Sequence, residues 1–408
     1  MRRICAGVAV TALVLTATSA SAKRGPMLAL VWKGSGASLT RVDAMTLRAV
    51  GGAALRIHAT SLVGRSPRGV TLAFGTGGGA LAFVDAGSLR LRGSMQLCGN
   101  WIAAAAWPSA GRLVAVTGSD ATSCVVVVDP GSRREVVERP LPFSDTVLSA
   151  EPAAGRVVFL IADRKSVSGV RLGVAGADGT LRTVALDRIQ GGTELPDDAA
   201  TGAVTQARPA LAVDPGSRRA AVVDAAGQVA EVDLSTLAVL YHPRALRAPA
   251  RAGKALDGWD RTALWLPSGN LAVTGIDYHS SVQNGTERMT GTAAGVTLYD
   301  TSTWAATAIA PGASAVVRVG NTLLAYGGGY AFQGSSSSQS GIGLRGFAAD
   351  GTPRFQLFAS ERIGDVQVAG GLVYVGGCHD RCFKIVDPAS GTVVGSPRTA
   401  LTTRLVGL

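Results

Sequence analysis

Residues 125–132 read Val125-Val126-Val127-Val128-Asp129-Pro130-Gly131-Ser132, four β-branched residues running into an Asp, two further residues and a Ser. The apolar run has strand composition. An Asp carboxylate accepts hydrogen bonds from backbone N–H groups two and three residues on, and a Ser or Thr hydroxyl reinforces the reversal. The same pattern recurs on either side at Asp43, Asp85, Asp233, Asp300 and Asp387, with a shortened Asp-Gly-Thr form at Asp178 and Asp350. Successive motif Asp residues lie 37 to 67 positions apart, and strand repeats of roughly 40 to 50 residues signal propeller blades. Each unit reads as a four-stranded antiparallel meander, from inner strand A to outer strand D, with the Asp ending strand C. The expected fold is therefore all-β, a single β-propeller of eight, or alternatively seven, four-stranded blades. The first unit lacks a strand A, and the last residues, 402–408, form an apolar strand with no unit after it. That C-terminal strand is expected to join the first blade and close the ring, which removes exposed edges.

Two stretches, Val125 to Ser132 and Ile385-Val386-Asp387-Pro388 with Ser390-Gly391-Thr392-Val393-Val394, resemble repeats of secreted bacterial propellers. The family is the YVTN and quinoprotein-like (PQQ-like, WD40-like) superfamily. The resemblance covers nearly the whole chain after residue 22, and it implies fold much more than function. Cofactor-using quinoproteins of that group typically carry a Trp closing most blades and often a vicinal Cys pair. Here only Trp304 follows a motif Asp in that way and no two Cys are adjacent, so no cofactor is expected.

The 408 residues are 47% hydrophobic and 16% charged, with 53 Gly, which excludes a disordered chain and favours strands and turns over helices. Residues 1–22 read as a signal peptide: Arg2 and Arg3 are basic, residues 4–17 apolar, and Ala20-Ser21-Ala22 a small-residue cleavage site. Residues 23–408 then form one propeller domain. No later run reaches the about 18 apolar residues of a membrane span, so no stable membrane insertion is expected after signal cleavage. The formal charge of +11 is scattered, with no block of five or six like charges, so nucleic acid is not an expected partner. The bias toward Arg, Ala, Gly and Val fits a bacterial protein, secreted or held in the cell envelope. Four Cys remain after processing, Cys98, Cys124, Cys378 and Cys382, and two disulfides are expected in an oxidising compartment. Cys98 and Cys124 would join adjacent blades, and Cys378 and Cys382 would face each other across a hairpin. The Cys378 to Cys382 spacing matches neither a haem-attachment motif nor a C-x-x-C metal knuckle, and no metal is expected.

Connections from D to A and from B to C open on one face of the ring. That face receives every long insertion: residues 189–207, 244–260, 275–295 and 327–341. Long loops on a rigid scaffold carry binding. The candidate binding residues are Trp259, Asp260, Asp277, Tyr278, His279, Tyr330, Phe332, Gln333, His379 and Asp380, since aromatic faces flanked by amides and carboxylates suit sugars or peptides. His279 and His379 with Asp277 and Asp380 are the one combination of metal-ligating or acid–base type. Residues 334–341, with serines at 335–338, have linker composition. No catalytic motif is present. The expected role is a non-enzymatic binding or scaffold protein for a protein, peptide or envelope glycan. The alternative is a propeller enzyme or enzyme subunit, of quinoprotein, amine dehydrogenase, hydrolase or lyase type.

Overall fold

Strand Arg112–Gly118 shows why these strands stack as a ring. Successive side chains point to opposite faces of a sheet. Val114 and Val116 pack with Val157 and Phe159 on one side, while Leu113 and Ala115 pack with Phe83 and Leu81 on the other. All eight side chains are fully or almost fully buried, and burying a Val, Leu or Phe stabilises by about 1.5–3 kcal/mol. A strand apolar on both faces needs a sheet on each side.

The computed structural model describes residues 27–33, 36–52, 54–118, 122–142, 144–194, 204–242, 256–283, 285–376, 383–398 and 402–406. Residues 1–22 lie outside this set. Among the described residues the chain is all-β except for one short 3₁₀ turn at Gly77–Gly79, and no helix is long and apolar enough to cross a membrane. The strands form a single β-propeller, with antiparallel pairing inside every four-stranded sheet. Strand Thr402–Val406 pairs antiparallel with Met27–Lys33, placing Val406 opposite Leu28. The first and last parts of the described chain thus share one sheet, as expected. The Tyr374 hydroxyl strengthens this junction by donating to the Ala44 carbonyl at 2.9 Å from the neighbouring sheet.

The blade count departs from expectation. Counted as separate sheets, the ring has six four-stranded blades, not eight or seven. All the other ring strands belong to one twelve-stranded sheet, in which two meanders are joined through the strands of the insertions. The physical reason is that the described parts of the insertions are largely strands. Their backbone N–H and C=O groups pair with one another, so sheets that side-chain packing alone would hold apart are connected by main-chain hydrogen bonds. The linker expectation for residues 334–341 is corrected for the same reason: Ser336–Gln339 is a strand paired with Tyr330–Gln333.

The recurring Asp residues do what turn chemistry predicts. Asp233 Oδ1 accepts from the N–H groups of Ser235 and Thr236, each at 2.8 Å, and from the Ser235 hydroxyl at 2.5 Å. In the longer turns the Asp carbonyl accepts from the residue four positions on, and that residue takes a left-handed conformation even where it is Leu47, Leu89, Leu237 or Trp304. Such a conformation costs a non-Gly residue about 1–2 kcal/mol, and the bonds to the carboxylate offset it. The same donors hold the carboxyls of Asp43, Asp129, Asp178, Asp233, Asp300 and Asp350 below the usual carboxylate range. At Asp85 the Arg92 guanidinium acts first and Ser88 second. A folded-state value below the unfolded one stabilises the protein above the unfolded pKa, and this contribution disappears as pH falls through the folded value. The thermal midpoint should therefore drop as pH is lowered from about 4 to about 2. Asn at Asp233 and Asp300 should lower the neutral-pH midpoint and flatten the acid limb, and a midpoint indifferent to acid would overturn this account.

Candidate functional site

The insertions build a seven-stranded region at one end of the twelve-stranded sheet, called the cap below. Its strands are β1 (Leu181–Glu194), β2 (Val204–Arg208), β3 (Leu256–Trp265), β4 (Leu271–Gln283), β5 (Thr286–Ala293), β6 (Tyr330–Gln333) and β7 (Ser336–Gln339). They neighbour one another in that order. All pairings are antiparallel except β2 with β3, which is parallel. β1, β3 and β4 are long because each runs from a blade into the cap. Gly275 marks that passage on β4: its φ is +159°, and a Cβ there would overlap the Asp260 carbonyl.

Register sorts the side chains, since directly opposed residues share a face. Asp257 is opposite His279 and Trp259 is opposite Asp277, so these four lie on one face. His279 Nδ1 is 2.6 Å from Asp257 Oδ1, and Asp257 is only 2% exposed. The Arg261 guanidinium is 2.7 Å from Asp277 Oδ1, as an ion pair not aligned as a hydrogen bond, and it also donates to the carbonyls of Asp260 and Ile276. Thr205 on β2 is in register with Asp257 and Glu194 with Thr205, which extends the polar row across four strands.

The other face carries rings. Tyr278 lies over Gly258, where a Cβ would collide with its ring, and its hydroxyl donates to Gln206 Oε1 at 2.9 Å. Tyr330 lies over Gly291 in the same manner. Tyr330 also packs against Phe332, with ring centroids 5.2 Å apart, and the Arg362 guanidinium sits 5.7 Å from its centroid. Phe332 and Val282 are 39% and 64% exposed. Burial pushes the Asp260 carboxyl above its ordinary value against the pull of Arg208 and Arg261, and pushes the Tyr278 phenol up as well.

Eight of the ten candidates therefore sit in one sheet, but not on one surface. Tyr278, Tyr330, Phe332 and Asp260 share the ring-bearing face, whereas Asp277, His279, Gln333 and the buried Trp259 belong to the opposite one. His379 and Asp380 lie outside the described residues, as do Cys378 and Cys382. His279 pairs with Asp257 and not with Asp277, whose partner is Arg261. Among the described residues the one group with metal-ligand spacing is Cys98, Cys124 and Glu138. Those two cysteines form a disulfide, with Cα atoms 6.3 Å apart, that links adjacent blades. Sequence reasoning passed over Asp257, Arg261, Gln206 and Arg362. The alternation Asp257, Trp259, Arg261 was the available signal for the first two, being the period of a strand with one polar inner face.

The chain is thus a β-propeller. It is similar in structure to the dihydro-heme d1 dehydrogenase NirN in complex with DHE, with a TM-score of 0.56 at 14% identity over 93% of this chain and 74% of that one. It is also similar to apo AztD from Citrobacter koseri, with a TM-score of 0.52 at 11% identity over 93% and 97% of the two chains. At these identities the likeness is one of fold. The sequence matches no protein-family model and no curated protein.

The Arg261 and Asp277 pair anchors the base of the cap. Arg261 is 7% exposed, and removing one partner of a buried pair strands the other charge. Arg261→Ala should therefore cost about 3 kcal/mol in urea unfolding. A loss under about 1 kcal/mol, the range of surface pairs, would show that the pair does not hold the cap.

Proposed function

We propose that the protein is a secreted or cell-envelope propeller that acts without catalysis, binding a protein, peptide or envelope glycan through the cap. The observation that carries this reading is the ring-bearing face of the cap, where Tyr278, Tyr330, Phe332 and Val282 form a partly exposed apolar surface beside Gln206, Gln339 and Arg362. Exposed aromatic surface with a polar rim is the composition of interaction sites. The Cys98–Cys124 disulfide supports an oxidising, extracytoplasmic location. The expected signal peptide at 1–22, with the propeller over 23–408, belongs to the same reading.

In co-sedimentation with the envelope fraction of the producing cell, the wild type should be retained. Phe332→Ala combined with Tyr278→Ala should weaken retention by about tenfold, the effect of losing aromatic anchors. Ser88→Ala, in a turn at the opposite ends of the strands, should leave it unchanged. Equal sedimentation of all three proteins would remove the cap as the binding face.

A second reading, a propeller enzyme or enzyme subunit, has one observation in its favour. A buried carboxylate that orients an imidazole, as Asp257 does for His279, is an arrangement used in general acid–base catalysis. One propeller of similar fold bears a dehydrogenase name. Under this reading His279→Gln, which keeps a hydrogen-bonding amide toward Asp257, should abolish turnover found by substrate screening while leaving the thermal midpoint in place. Activity that survives the change would make the pair structural.

A further inference from the structure

The twelve-stranded sheet ends at β7 with an open edge. Among the described residues only β6 pairs with β7, and all four residues of β7 are exposed. The Ser340 N–H donates to the Gly329 carbonyl at 3.0 Å, so these two form a hydrogen-bonded pair of the hairpin. Such pairs alternate with non-hydrogen-bonded ones in an antiparallel ladder, which turns the N–H and C=O groups of Gln339 and Ser337 away from β6 and toward the free edge. Natural sheets blunt their edges with charges, prolines and bulges, among other devices. The outer strands Leu91–Gln96, Arg134–Pro140, Ala306–Ala310, Pro353–Leu357 and Thr392–Gly395 are each paired through a register shift. The β6–β7 ladder has no shift, and β7 carries neither charge nor proline.

We propose that the β7 edge receives an extended, acidic peptide segment of a partner protein as an eighth strand of the cap, a proposal that rests on the reading of the cap as the binding face. Main-chain hydrogen bonds to Ser337 and Gln339 supply the affinity common to strand addition, and side chains supply the choice of partner. Directly opposed residues share a face. The residues that come to lie opposite Gln339 and Ser337 therefore join the ring-bearing face, one strand beyond Tyr330 and Phe332. A saccharide has no row of amides to offer this edge.

Arg362 selects the charge. Its guanidinium sits 5.7 Å from the Tyr330 centroid and donates to Gln339 Oε1 at 3.0 Å, so it stands beside the place that a residue opposite Gln339 would take. Among the described residues no carboxylate pairs with Arg362, and its Nε is buried without an acceptor. The guanidinium fork matches a carboxylate in both geometry and charge. Two positions along the added strand the neighbour is Ser337, whose small side chain leaves the partly exposed Phe332 ring open behind it. An aromatic side chain at that position can extend over the ring. The fitting pattern is thus an acidic residue with an aromatic one two positions away. A second copy of this chain, pairing edge to edge, would bring another guanidinium to the first of them.

The test titrates the chain from residue 23 onward with the peptide Thr-Phe-Thr-Glu-Thr-Phe-Thr, whose spacing serves either strand direction, and with its Gln counterpart, read by calorimetry and amide hydrogen exchange. The Glu peptide should bind and slow exchange of the Ser337 and Gln339 amides, and the Gln peptide should bind about tenfold more weakly. Arg362→Gln should bring the two affinities together. Ser337→Pro removes an N–H that β6 does not use, a change that edge strands tolerate, and should weaken the Glu peptide by about tenfold or more. Ser337→Ala should leave it unchanged. Equal affinity of the two peptides for the wild type overturns the proposal and needs no variant to fold. Absence of Glu-peptide binding, or binding that Ser337→Pro leaves intact, overturns it as well. Self-association that Ser337→Pro abolishes, with no peptide bound by the wild type, overturns it in favour of a second copy at the edge. If envelope retention still depends on Tyr278 and Phe332 alongside any of these results, the binding face stands and only strand addition falls.

Discussion

Every other feature of this ring depends on strands that are apolar on both faces. Leu28 and Leu30 pack toward Leu72 and Phe74, while Met27 and Ala29 on the same strand pack toward Tyr374 and Leu372. Such a strand cannot lie at the end of a stack without exposing a hydrocarbon face, so each sheet calls for another until the stack returns to its start. The pairing of Thr402–Val406 with Met27–Lys33 completes that return within one sheet. Packing between sheets fixes the ring, and hydrogen bonding within sheets fixes each blade.

The fold was largely legible because its decisive signal is local. An Asp carboxylate reaching N–H groups two or three residues on needs no knowledge of the rest of the chain, and eight such turns mark the ends of eight strands. The cap was not legible, for the converse reason. Its strands pair across long separations, as Thr205 does with Asp257, and Ser336 to Ser338 lack the β-branched or aromatic side chains that announce a strand. The candidate residues were found by type, as aromatic or ionisable groups in insertions. Their division between two faces follows from register, which no single-strand reading supplies. Asp277 and His279 were grouped with each other, yet the carboxylate that meets His279 is Asp257 on the adjacent strand.

The two faces of the cap suit different tasks. On the inner side, Asp257 holds His279 and Arg261 pairs with Asp277 where water is scarce, which ties β3 to β4 by side chains as well as by the backbone. On the other side, Tyr278 and Tyr330 lie on glycines, so their rings are close to the backbone and have little room to turn. Rigid anchors beneath and rings above give a surface whose shape is set by the scaffold, the condition under which modest contacts add up to selective binding.

The fused sheet also makes the ring mechanically uneven. The four-stranded sheet running from Ala210–Val213 to Val239–His242 is separate, yet the twelve-stranded sheet supplies the blades on both sides of it and crosses between them through β2 and β3. That blade is clamped: it cannot swing outward unless the flanking blades part, and they are riveted by main-chain hydrogen bonds. Among the described residues the six four-stranded sheets are not joined to one another by strand pairing, and packed side chains slide more readily than aligned amides break. Compliance is therefore concentrated in the arc away from the cap, and a load applied at the cap reaches the ring through its stiffest sector.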